Sequence, residues 1–513
     1  MTDMAQAFAQ PATAPRTESS AGDEWTGFLG VTEPLMVQGR RRLSDGLRAL
    51  ELRMSGLPFD KEVIEKIAAN NLKPRLMMML MGTLALEVNV ARLAGTLEGD
   101  TPEQRSRTFF QTMREPRAAL AFFHEYPVLA RLIAVQIDRW VQFTLEFLER
   151  LCSDWQEILA VFAPTGDPGT LTRLETGAGD VHRGGRSVVL TGFSSGFQLV
   201  YKPRSLAVDV HFQKLLAWLN EHGHHTPFRT LKLIQRETYG WVEYVSARGC
   251  NAPEELRRFY ERQGAYLGLF YAMEATDIHY ENLIASGEHP VMVDLESLFH
   301  PRAEGTDVSD KMELPGLDAL FYSVLRVGLL PQRTWIRSED DEGIDISGMG
   351  MPEGQLTPQG VPFLAAANTD EMRIERKRVV VPGGKNRPNL NGSDVSAFDH
   401  VDSISKGFTS IYRLLVKHRN DLLDGPLADF ADDEIRVVFR PTRDYARILQ
   451  ESFHPDVLRD AIDRDRLLDR LWNDVPARPH LKRVIQAERD DLYSGDIPYF
   501  STRPNSRDLC TAT

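Results

Sequence analysis

Three groups of residues that could carry chemistry occur in a fixed order along the chain. They are Lys202 in Val200-Tyr201-Lys202-Pro203-Arg204, then Asp277-x-His279-x-x-Asn282, then Asp294, 17 residues after Asp277. Phosphoryl transfer needs these residue types together. A cation must meet the nucleotide phosphates, a carboxylate must lie near the attacking hydroxyl, and carboxylate plus amide oxygens must hold Mg²⁺. Kinases supply a strand Lys, a loop Asp, an Asn a few residues later, and a metal-binding Asp after a short hairpin. Singly, each residue has a plainer reading. Lys202 could be a solvated strand residue, Asp277 to Asn282 a capped turn, and Asp294 the end of a strand. Their order within one chain favours a nucleotide site.

The elements that must position these residues follow from periodicity. From about Trp25 to Phe162 the pattern is helical. Its clearest stretch is Val128 to Phe162, where Leu129, Leu132, Ile133, Ile137, Trp140 and Val141 share one face. The Met-rich run from Leu76 to Met81 is too short to span a membrane and reads as a buried helix. Pro164, Gly166, Pro168 and Gly169 then break the chain. Val188 to Thr191 and Phe197 to Arg204 read as strands joined by a hairpin turn at 192–196. That turn lacks GxGxxG and adds little. In the second strand Phe197, Leu199 and Tyr201 share one face, and Val200 and Lys202 the other. A helix over Asp209 to Glu221, strands over Thr230 to Arg236 and Gly240 to Val245, and a helix over Pro253 to Glu274 follow. The last carries Phe259, Tyr260, Leu267, Phe270 and Tyr271 as an apolar stripe. A short hairpin then leads from Asn282 to Asp294. His300 to Gly407 is loop-rich and holds the acidic run 338–342. It is a candidate peptide-contacting region or a surface insertion.

Composition bounds the partners. The chain has 513 residues, 42% hydrophobic and 26% charged, as in an ordinary globular protein with two to four domains. A net charge of −13 argues against nucleic acid and against an anionic membrane surface. Cys152, Cys250 and Cys510 form no CxxC pair, so neither a disulfide framework nor a structural zinc site is expected. The first 24 residues are polar and small, with no signal sequence, and are expected to be disordered. A cytoplasmic protein without stable membrane insertion is the simplest expectation.

Several further motifs resemble the class II lanthipeptide synthetases (LanM type), in their N-terminal dehydratase domain. They are Gly179-Asp180-Val181-His182, Val200-Tyr201-Lys202-Pro203-Arg204-Ser205, Thr276-Asp277-Ile278-His279-Tyr280-Glu281-Asn282-Leu283-Ile284 and Val293-Asp294-Leu295-Glu296. Asn386-Arg387-Pro388-Asn389-Leu390, Arg436 with Thr442, and Gly495-Asp496-Ile497-Pro498-Tyr499-Phe500 complete the set. The likeness runs from about residue 70 to the last residues. It implies an α+β, lipid-kinase-like two-lobed fold with an N-terminal helical region. The domains expected are a helical capping region at 25–170, a small lobe at 171–245, and a large lobe at 246–513 with an activation-loop-like insertion at 300–407. It implies ATP- and Mg²⁺-dependent phosphorylation of Ser and Thr in a precursor peptide, then phosphate elimination to dehydroalanine and dehydrobutyrine.

The resemblance also implies roles. Lys202 meets the ATP phosphates, and Asp277 is the catalytic-loop aspartate with His279 and Asn282 beside it. Asn282, Asp294 and Glu296 serve the metal, although Glu296 could equally hydrogen-bond a neighbouring group. Asp180, His182, Arg436 and Thr442 serve elimination. Without the resemblance, Arg436 would read as a surface strand residue and His182 as a loop histidine. The base that removes the proton stays open; Lys202 would need a lowered pKa to serve. Family members continue into a zinc-dependent cyclase, which is expected to be absent here, so a separate cyclase would close rings. Two rivals remain: a kinase-like phosphotransferase on another substrate, and a non-catalytic peptide-binding module.

Overall fold

The computed structural model describes residues 27–54, 56–163, 166–223, 225–301, 322–334 and 343–512. The expected disorder of residues 1–24 and the acidic run 338–342 lie outside them.

Five helices open the described chain: α1 (Glu33–Arg53), α2 (Lys61–Leu93), α3 (Pro102–Thr112), α4 (Pro116–Glu125) and α5 (Pro127–Phe162). Local chemistry sets their starts. The Asp60 carboxylate accepts from Val63 N at 3.1 Å, Thr101 and Gln104 form a reciprocal capping box, and Pro127 stands where its missing N–H is harmless. By length and apolar composition α2 could cross a membrane. Its apolar stripe is already used within the protein, because Ile64, Leu72, Leu76, Leu80, Leu84 and Val88 are all buried in the helical layer. The Met-rich run is therefore mostly core, with Met78 turned outward.

The chain then makes an antiparallel five-stranded sheet. It comprises β1 (Leu171–Thr176), β2 (Val189–Phe193), β3 (Gln198–Lys202), β4 (Leu233–Gln235) and β5 (Gly240–Glu243), in the order β1-β2-β3-β5-β4. Leu199 and Tyr201 are buried on the face that meets α5. There Phe147 meets the Tyr201 ring edge-on at 5.3 Å, and Trp241 donates to Asp154 at 2.8 Å. Strand β1 has no counterpart in the sequence reading. A bulge between Leu171 and Arg173 puts its buried leucines three apart, which hides the period of two.

The opposite side of the sheet meets a second core. It is built from α6 (Ala207–His222), α7 (Pro253–Ala272), the hairpin β6 (Leu283–Ser286) and β7 (His289–Met292), and α8 (Val401–Lys417). Tyr271, expected on the α7 stripe, is instead exposed and donates to Tyr322 O at 3.2 Å. It lies one residue beyond Phe270 and so rotates off the buried face. Helix α8 starts six residues before the expected end of the loop-rich segment, because Ser396 caps a turn that feeds directly into it. The loop-rich segment also carries three short ribbons: β8 (Arg333–Thr334) with β9 (Ile344–Asp345), β10 (Val361–Ala365) with β11 (Arg373–Lys377), and β12 (Asn389–Leu390) with β13 (Ser393–Asp394).

After α9 (Arg419–Asp424), strand β14 (Ile435–Arg436) pairs with β15 (Phe500–Thr502), which pairs with β16 (Cys510–Thr511). Between them stand α10 (Thr442–Glu451), α11 (Pro455–Leu458), α12 (Ala461–Leu468) and α13 (Ile485–Tyr493). These helices return to the first core: Ile448, Leu458, Leu468 and Leu492 pack there with residues of α2 and α5. The fold is thus α+β, with two large apolar cores, a smaller one around Val437, Leu481, Val484 and Phe500, and a polar network between the large two.

Candidate active site

Lys202 ends β3, opposite Gly240 of β5. A Cβ on Gly240 would come within 2.3 Å of Leu206, so only glycine lets the chain turn here into α6. The Lys202 ammonium is buried. It donates to Asp209 Oδ1 at 3.0 Å and to Val293 O at 2.6 Å. Asp209, in the first turn of α6, also accepts from Arg204 Nη1 at 2.8 Å. Arg204 reaches on to Asp294 Oδ1 at 3.1 Å and lies 3.6 Å from Glu296 Oε2. A line of alternating charges therefore joins the β3 strand to the strand end after β7. Burial opposes the charge on Arg204, but Asp209 and Asp294 overcome it and raise its pKa.

The Asp277 loop follows α7. Asp277 has φ +59°, and its carbonyl accepts from Asn282 Nδ2 at 2.8 Å and from His279 N at 3.0 Å. His279 Nδ1 accepts from Glu281 N at 3.3 Å and so shapes the single turn that carries Asn282. Asn282 O accepts from Val293 N at 2.9 Å, which places it beside the Asp294 strand end. The pKa of the Asp277 carboxyl is raised by the protein around it, and Glu296 and Asp294 add to this while His279 and Arg436 oppose it. Asp277 itself is exposed to solvent.

Arg436 is buried, contrary to its plain reading as a surface strand residue. Its N–H donates to Glu296 O at 2.6 Å and its Nη1 to Glu296 Oε1, also at 2.6 Å. Nη2 donates to Thr442 Oγ1 at 3.2 Å and lies 3.6 Å from Asp180 Oδ2. Burial works against the Glu296 carboxylate, yet Arg436 and Arg204 hold its pKa below the ordinary value. Glu296 thus serves as the tie between two guanidiniums.

His182 lies in a tight loop, with its N–H donating to Arg186 O at 3.0 Å. Its Nδ1 is 2.8 Å from Ile497 O and must carry the proton. Its Nε2 is buried, has no hydrogen-bond partner, and is 3.8 Å from Asp180 Oδ2. Burial and then Arg436 lower the His182 pKa, so the ring is neutral with an open lone pair. Tyr499 meets the ring edge-on at 5.2 Å and stacks under Arg183 at 4.2 Å.

The structure brings Lys202, Asp294, Glu296, Arg436, Thr442, Asp180 and His182 into one connected network. Asp277, His279 and Asn282 form the adjoining loop. The sequence reading gave no role to Asp209, and none to Arg204 and Tyr499, which it quoted within motifs. An acidic residue in the first turn of the helix after the Lys strand was the available signal for Asp209. Among the described residues no group of three or more His, Cys, Asp or Glu could hold a metal. The donors at hand are the Asp294 carboxylate and the Asn282 amide. Such hard oxygens suit Mg²⁺ that arrives with phosphates. A surface cavity of about 620 Å³ lined by Ile462, Trp472, Arg489 and Tyr493 contains none of these residues.

The fold and site thus define an α+β protein in which a buried lysine and two guanidiniums share one carboxylate network beside the Asp277 loop. Residues 126–503 match the family described as "Domain of unknown function (DUF4135)", and the chain belongs to that family, which is found in LanM-type lantibiotic synthetases. The "Lacticin 481/lactococcin biosynthesis protein LcnDR2" of Lactococcus lactis subsp. lactis is 25% identical over 463 residues. That match covers 86% of this chain and 48% of the relative, so the chain spans about half of the relative's length.

Proposed function

We propose that this chain is a lanthipeptide dehydratase with a kinase-like site. It phosphorylates Ser and Thr of a precursor peptide, then eliminates the phosphate to leave dehydroalanine and dehydrobutyrine. The observation that carries this reading is the Glu296 carboxylate, which ties Arg436 to the Arg204–Asp294 side of the network. Residues suited to phosphoryl transfer and residues suited to elimination therefore share one network. The printed name of the relative, a lacticin 481/lactococcin biosynthesis protein, agrees with a peptide substrate.

On the transfer side, the Lys202–Asp209 pair parallels the strand-Lys to helix-acid pair of kinases. ATP with Mg²⁺ supplies the phosphoryl group and neutralises the charge of its phosphates. Lys202 and Asp294 would hold that complex, with Asn282. Asp277, its pKa raised, is exposed, so a substrate hydroxyl could reach it.

On the elimination side, the Cα–H and the Cβ–O bonds of the phosphorylated residue break and a Cα=Cβ bond forms. His182 is held neutral with an unpartnered Nε2, the state a base needs, and its loop would have to open for that buried atom to take the Cα proton. Arg436, fixed by Glu296 and Thr442, presents charged N–H donors to the departing phosphate.

The test is the intact mass of a Ser/Thr-containing precursor peptide co-expressed with wild type or Arg436→Ala. Wild type should remove about 18 Da per site and the variant should leave about 80 Da added per site, separating the half-reactions. Addition of about 80 Da with both would leave a kinase without elimination. Unchanged mass with both would support a peptide-binding module.

A further inference from the structure

The ribbon of β10 and β11 has no role in the network above. It is longer than its named strands, because Thr357 N donates to Val379 O at 2.9 Å and Val381 N to Gln355 O at 2.8 Å. Both ends are strapped. At one end Asp345 N donates to Gln355 Oε1 at 2.8 Å, and the neighbouring Ile346 O accepts from Tyr280 N at 3.1 Å. That end therefore adjoins the Asp277 loop, and His279 itself bridges to Ser347. At the other end Arg105 Nε donates to Asp370 Oδ2 at 2.6 Å, and Asn89 Nδ2 to Met372 O at 2.7 Å. That end is fixed to α2 and α3.

Between the straps most of the ribbon is exposed, although Leu364 packs against the first core and β11 runs beside α2. It is a two-stranded sheet, so each strand has an edge without a partner strand. Pro362 removes a donor from β10, whereas β11 keeps all of its N–H groups. Register puts Val361 beside Lys377 and Phe363 beside Glu375 on one face. Val361 and Phe363 are exposed there, at 43% and 39%. Charge is concentrated on the β11 side. Arg373, Arg376, Lys377 and Lys385 outnumber Glu371 and Glu375 there, in a chain of net charge −13. Glu375 is already paired with Arg373.

We propose that the β11 edge takes up an extended acidic peptide segment as a third strand, and so leads the peptide substrate from the helical layer toward the Asp277 loop. Strand addition draws affinity from the backbone and specificity from the side chains of alternate residues. Basic side chains with exposed Val361 and Phe363 select a segment that mixes acidic and apolar residues. Edge lysines and prolines alone would also serve to repel other chains. The strapping to the catalytic loop and the excess of basic charge favour a docking role. The identity of the peptide as substrate rests on the function proposed above. Docking itself does not.

The probe is a fluorescein-labelled peptide of alternating Glu and Val, followed by anisotropy with the whole chain and no nucleotide. Binding is expected, weakened about tenfold or more in R376E/K377E and at high salt. A backbone N-methylated copy should lose a similar factor, because its donors are gone. K377Q should fall between wild type and the double variant, which guards against misfolding of the charge reversal. Unchanged affinity in R376E/K377E, or equal binding of the N-methylated copy, overturns the proposal. Equal binding of oligo-dT reduces the ribbon to a general polyanion surface and overturns it as well. Failure here with dehydration intact by peptide mass would remove the docking edge and leave the enzyme.

Discussion

Lys202 and Arg204 share the Asp209 carboxylate, so one substitution tests both. Asp209→Asn leaves two buried cations short of charge and lets Lys202 drift. ATP consumption in the presence of peptide should fall about 10²-fold in kcat/KM. A value within a factor of two of wild type would deny the pair its positioning role. Other residues report through pH. Burial pushes His225, His289 and His300 down to about 4. Unfolded histidines titrate near about 6.5. The unfolded chain therefore takes up protons that the folded chain refuses, and stability falls as pH drops from about 6.5 toward 4. Both ring nitrogens of His225 lack partners, so His225→Leu should flatten the pH dependence of the thermal midpoint. An unaltered slope would place the proton uptake elsewhere. Lys202, Asp277 and Asp294 were legible because each sits in a short local motif. Asp209 was not, because its meaning depends on where α6 folds back.

Helices and strands were readable where one face is buried and unbroken. Helix α5 and the hairpin β6–β7 lie within a few residues of their expected bounds. Strand β1 was hidden by its bulge, and the start of α8 by the loop-like composition before it. One contact between elements had no sequence signal. Helices α7 and α8 cross so closely that a Cβ on Gly264 would lie 1.9 Å from Ile404 O, and one on Gly407 1.8 Å from Glu261 O. Alanine at either position should push the helices apart at a cost of about 1–3 kcal/mol or more. Because α7 leads directly into Asp277, ATP consumption should fall in Gly264→Ala along with the urea midpoint. A stable variant with full activity would show that the crossing has slack.

At the scale of the molecule, the segment from Gly495 to Tyr499 fastens distant parts together. The Asp496 carboxylate accepts from Gly184 N at 2.8 Å and from Arg139 at 3.1 Å, while Gly495 O accepts from Arg75 at 2.6 Å. Asp496→Ala leaves Arg139 without its carboxylate, bonded only to Ser494 O, and frees Gly184 N of the loop at 182–186. The expected result is a loss of about 3–5 kcal/mol in urea unfolding and faster proteolysis near Gly184. Retained protection would mean that Ile497 alone holds His182. The motif itself stood out in the sequence, but its partners did not, since they are hundreds of residues away. The same fastening imposes an order on synthesis. A growing chain has Lys202, Asp277 and Asp294 in hand by residue 294, but Arg436, Ile497 and Tyr499 emerge much later. Until they do, the loop of His182 is held at Arg186, by Glu146 of α5, but not at His182 itself. The residues proposed for phosphoryl transfer are thus all present in the chain before the last of those proposed for phosphate release.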